Sequence, residues 1–100
     1  MTYPIRFDGL PWLDADRAAV DEALALVGAK LAQITGGEPE EAFRCLFGEL
    51  TLEAVDRCPG GWDAYVEAGV PDRIQFTRGK VTARLVVHEL GHIVNDRDKS

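Results

Sequence analysis

Two histidines four residues apart, with a glutamate directly after the first, form the run His88-Glu89-Leu90-Gly91-His92, and eight residues follow it. In an α-helix, residues four apart are separated by about 6 Å along the axis and about 40° around it, so two imidazoles so placed can grip one metal ion. Glu89 points into the same cleft without being a ligand. There it can take a proton from metal-bound water and pass it to a leaving amine. His88, His92 and Glu89 are therefore the residue types of metal-assisted amide hydrolysis, with Zn2+ the expected cofactor. His88 and His92 are the chain's two histidines, and coincidence would produce this arrangement in roughly one of 600 sequences of the same composition. Two other readings stay open. In one, His88 and His92 only hydrogen-bond to neighbours on a core helix while Glu89 is solvated. In the other, the motif survives on a scaffold that no longer turns over.

A catalytic zinc normally has three protein ligands and an open position for water, so another ligand is needed. Asp96 lies on the same helical face, four residues beyond His92. A straight helix would place it about 12 Å along the axis from His88, too far for a short carboxylate. Upstream carboxylates such as Asp63, Glu67 or Asp72, or a partner chain, are alternatives.

The elements that must position these groups are read from periodicity. Tyr3 to Phe7 suggests a short strand, turned by Asp8-Gly9. From Asp14 or Asp16, either a plausible cap, Val20, Leu24, Val27, Leu31 and Ile34 recur at steps of four and three until Gly36-Gly37, which predicts an amphipathic helix over 14–35. Pro39 in a first-turn position, with Glu40 and Glu41 behind it, opens a second helix that carries Ala42, Phe43, Leu46 and Phe47 and reaches Gly48. Residues 49–57 fit either a helix, with Glu53 and Arg57 four apart, or an alternating strand. Cys58-Pro59-Gly60-Gly61 breaks the chain, and Trp62 to Val66 fits a short helix or strand. Arg73 to Thr77 alternates as a strand with Ile74 and Phe76 inward. After Arg78-Gly79, a last helix has a broad apolar side of Val81, Leu85, Val86, Leu90, Ile93 and Val94. Gly91 inside it costs about 1 kcal/mol relative to Ala, which either close packing or simple tolerance would explain.

One hundred residues with 46% hydrophobic content predict a single domain, 1–100, with one modest core. A formal charge of −6 argues against a nucleic-acid partner. The start of the chain lacks the pattern of a secretion signal, and no stretch approaches a membrane span, so a cytoplasmic, soluble protein with no membrane partner is expected. Cys45 and Cys58 fit no zinc pattern and read as reduced thiols. A homo-oligomer stays open.

A strand, a tight turn and an apolar helix carrying His88-Glu89-Leu90-Gly91-His92 together resemble the zincin metallopeptidases, over about thirty residues from Arg73 to Asp98. The resemblance implies an α+β fold in which a long backing helix and a small twisted sheet pack with the C-terminal active-site helix. Residues 14–35 would be the backing helix. Arg73 to Thr77 would be the strand at the cleft edge, pairing with an extended peptide or protein substrate; the other reading is an ordinary interior strand. The order His88-x-x-x-His92-x-x-Asn95-x-x-Asp98 follows the spacing of the metzincins. Those proteins have Gly where Asn95 stands, and it turns the chain so that a His, or in a few members an Asp, returns as third ligand. Asn tolerates the left-handed conformation, so Asp98 is the implied third metal ligand. The sequence departs from that pattern in having no third His and no Met-containing turn, since its sole Met is Met1. Either a minimal zincin or one whose natural sequence continues past Ser100 is expected.

Overall fold

In the parallel part of the sheet, successive strands must be joined by a crossover, and the first helical pair supplies one. The computed structural model describes residues 3–66 and 72–98, with side chains for 3–66 and 72–94. Strand β1 (Ile5–Gly9) is followed by helices α1 (Asp14–Thr35) and α2 (Pro39–Phe47), then β2 (Leu50–Val55). A 3-10 turn at Pro59–Gly61 leads to β3 (Ala64–Val66), β4 (Arg73–Thr77) and α3 (Ala83–Asp98). The sheet order is β1-β2-β4-β3, with β1, β2 and β4 parallel and β3 antiparallel to β4. The described residues thus form a small α+β domain of three helices and a four-stranded sheet.

Cross-strand pairing decides the segment that periodicity left open. Leu50, Leu52 and Ala54 are buried while Thr51, Glu53 and Val55 are half-buried, the alternation of a strand covered on one face. Glu53 does not look along a helix to Arg57. Instead it accepts a hydrogen bond from Gln75 Nε2 at 2.8 Å and lies 3.4 Å from the Arg73 guanidinium, both on the adjacent strand. Residues 64–66 are likewise a strand. β1 begins two residues later than expected, and Tyr3 ahead of it meets Phe43 edge-on at 5.2 Å.

One core cluster joins Val20, Ala23 and Leu24 of α1, Phe43 and Phe47 of α2, Leu52, Ile74 and Phe76 of the sheet, and Val86, Leu90 and Ile93 of α3. The helices therefore cover one sheet face. The apolar stripe of α1 outruns this cover, because Val27 and Leu31 are only partly buried and Ile34 is 71% exposed. Both cysteines are free, Cys45 exposed and Cys58 buried, with the Thr77 hydroxyl donating to the Cys58 sulfur at 3.4 Å. Among the described residues, no helix is long and apolar enough to cross a membrane.

The start of α1 corrects the expected cap. Leu13 occupies the cap position with no side-chain bond, and Asp16, in the first turn, is only 3% exposed. Its carboxylate reaches across the fold to accept the Gly79 N–H at 2.7 Å. Gly79 has φ +84°, a left-handed turn conformation that favours glycine, and it lies between β4 and α3. Arg78 Nε donates to the Pro11 carbonyl at 2.8 Å. The strand-to-helix turn is thereby tied to the α1 entrance from both sides. Thr82 then accepts the Leu85 N–H at 3.1 Å, a side-chain cap for α3.

Asp16→Ala removes the acceptor and is expected to lower stability by about 1–3 kcal/mol, read as a lower urea midpoint at unchanged slope. An unchanged midpoint would show that the tie is dispensable. Gly91 gives the opposite expectation, since a Cβ there would meet nothing within 4 Å, which removes close packing as its reason. Gly91→Ala should raise stability by up to about 1 kcal/mol, and a lowered midpoint would sink that account.

Candidate metal centre

The roll of α3 about its own axis places the motif. Val86, Leu90 and Ile93 are buried, so the residues on the other side of the helix, His88 and His92, face solvent. Their Nε2 atoms are 3.0 Å apart and their rings are edge-on, 4.6 Å between centroids. Two nitrogens at that separation can both reach one ion at about 2.0–2.1 Å. A tetrahedral site needs about 3.3 Å between ligand atoms, an opening that a small ring rotation supplies.

Glu89 sits at the boundary between the buried stripe and the solvent face and is 8% exposed. Among the described residues no side-chain hydrogen bond or ion pair engages its carboxylate, and no sealed polar side-chain atom lacks a partner, so its oxygens open on the cleft. Ligand atoms of His88, Glu89 and His92 all lie within 4.8 Å of one another. Among the described residues this is the one such group of three or more His, Cys, Asp or Glu side chains. Asp63 and Asp72 are outside it, and Glu67 falls outside the described residues.

The backbone of α3 stays helical through Asn95 to Asp98, so the turn at Asn95 on which the third-ligand expectation depends is not formed in this structure. On a continuous helix, Asp98 would stand about 15 Å along the axis from His88. Its side chain lies outside the described residues.

Of the two readings of Arg73–Thr77, cleft-edge strand or interior strand, the structure takes the second. Arg73–Thr77, β4, is an interior strand held between β2 and β3, so its backbone has no free edge to offer. Of the two edge strands, β1 and β3, the one beside α3 is β3. Trp62, Ala64, Tyr65 and Val66 line a cavity of about 490 Å³ together with His88, Glu89 and His92. Trp62 is 69% exposed on that wall. Periodicity leaves residues 62–66 open between helix and strand and, apart from Asp63 as an alternative ligand, gives them no role. No spacing rule joins Tyr65 to His88, and three residues are too few for periodicity to speak.

No protein-family model matches the sequence, and no curated protein or solved structure matches the chain, so the site rests on its own geometry. Either His88→Ala or His92→Ala should reduce bound zinc to background after equilibration with one equivalent and desalting. A variant that kept stoichiometric zinc would show that the pair is not the binding site.

Proposed function

We propose that this chain is a zinc-dependent peptidase of zincin-like architecture, with His88 and His92 as metal ligands and Glu89 as general base. The observation that carries the reading is the convergence of the two Nε2 atoms, 3.0 Å apart, beside a carboxylate that is buried yet opens on the same cleft. Two imidazoles with a nearby carboxylate suit zinc, whose bound water becomes acidic enough to act as a nucleophile near neutral pH. α1 takes the place of the backing helix, and α3 that of the active-site helix.

The chain's own groups divide the work. His88 and His92 would hold the ion from one helical face. Glu89, pinned at the edge of the core, accepts the proton of the attacking water and delivers it to the amine that leaves. β3 replaces β4 as the strand against which an extended peptide lies, because one side of an edge strand's backbone is free to pair. Trp62 and Tyr65 flank that path. Asp98 is retained as third ligand only through unwinding of the last turn of α3 at Asn95 on zinc binding. Asp98→Ala would then weaken zinc binding roughly tenfold or more, and unchanged affinity would remove Asp98 from the set.

Zinc-loaded protein is expected to cleave a generic peptide mixture at neutral pH. Glu89→Gln should lose about 10²–10⁴ of that rate while zinc stays bound, measured by mass spectrometry of products against metal content. If wild type and Glu89→Gln were equally inert, the same helix would be a metal-holding or protein-binding scaffold instead.

A further inference from the structure

His88 faces a second cavity besides the one it shares with Glu89 and His92. This one, also about 490 Å³, is lined by Asp63, Lys80, Thr82, Arg84, Leu85, Val87 and His88. The two cavities therefore share His88 on their walls and follow one another along α3. Their chemistry differs sharply. The first has tryptophan, tyrosine and valine on its wall, whereas the second carries two cations against one carboxylate in a chain whose formal charge is −6.

Among the described residues neither cation is engaged by another side chain. The ion pairs among the described residues both belong to Arg73, on the sheet, and neither Lys80 nor Arg84 has one. Both side chains are exposed. Arg84 is also placed with respect to the reacting bond. It precedes His88 by four residues, hence one helical turn or about 6 Å along α3 on the same face. An extended peptide advances about 3.3 Å per residue, so 6 Å corresponds to about two residues.

We infer that the two cavities form one path along α3 that selects peptides bearing a carboxylate about two residues from the bond cleaved, with Lys80 and Arg84 as specificity-determining residues. Arg84 offers a planar fork suited to two carboxylate oxygens, and Lys80 adds a second positive charge. An Asp or Glu side chain and a free peptide C-terminus present the same group, and either would be taken. The inference rests on the peptidase reading for the position of the bond, but carboxylate selection is read by binding alone.

The test uses zinc-loaded Glu89→Gln protein and three fluorescent peptides of one sequence: a Glu peptide with an amidated end, its Gln counterpart with a free C-terminal carboxylate, and the Gln counterpart amidated. At low salt, anisotropy should show about two- to fivefold tighter binding of the Glu peptide, the free-end peptide or both over the neutral one. That ratio should fall towards one at high salt and in Lys80→Ala/Arg84→Ala. Lys30→Ala, an exposed cation on α1, is the control that should keep it. Whichever anionic peptide binds tighter identifies the source of the carboxylate. Equal binding of all three peptides, no binding of any, or a preference that survives Lys80→Ala/Arg84→Ala overturns the inference. Failure of wild type to cleave any peptide while the preference persists would instead remove only the peptidase reading.

Discussion

The burial of Val86, Leu90 and Ile93 in one cluster with Leu52, Ile74 and Phe76 fixes the roll of α3, and everything proposed for the site depends on that roll. A helix has one buried side at a time. Once those three residues are inward, His88 and His92 must be outward, and Glu89 must lie at the border. The border position matters chemically. Packing restrains the Glu89 side chain on one side, while the cleft admits water on the other, so the proposed general base would be held near a bound ion, and no side chain among the described residues ties it up. Turning the helix by one residue would bury a histidine and expose the core.

Holding α3 at that roll requires its entrance to be fixed as well. The Asp16 carboxylate is taken from its own helix start and given to the Gly79 N–H, and Arg78 reaches the Pro11 carbonyl nearby. Two contacts that span more than sixty residues thus set where β4 ends and α3 begins. The cost falls on α1, whose cap residue, Leu13, offers no side-chain hydrogen bond. Local helix stability has been given up for a long-range tie, a trade that is legible only when both ends of the tie are seen together.

Electrostatics separates the faces of the domain. Acidic and basic groups on the open sheet face satisfy each other, as with Arg73 against Glu53 and Asp8. Along α3 they do not. Lys80 and Arg84 stand beside the cleft without internal partners among the described residues, in a molecule with an acid excess. Their charge thus faces solvent, and the proposed carboxylate selection rests on it.

The sequence by itself determined the motif and the helices. A four-residue spacing on a strongly apolar helix is a local property, and Gly36, Pro39 and Gly48 mark helix boundaries through their own backbone preferences. It also placed Ile74 and Phe76 inward, because alternation is local too. Only the tertiary structure decided that residues 50–55 are a strand, since Gln75 and Arg73, which engage Glu53, are about twenty residues away. The same holds for strand order. β4 is a good strand in sequence whether it lies inside the sheet or at its edge, and what makes it interior is the pairing of β3, a three-residue segment too short to announce itself. Asp16 shows the limit most plainly: its type and place suited a helix cap, and its partner proved to be a backbone N–H sixty-three residues on. Local periodicity reports which side of an element is apolar; which neighbour covers that side is a matter of packing between distant segments.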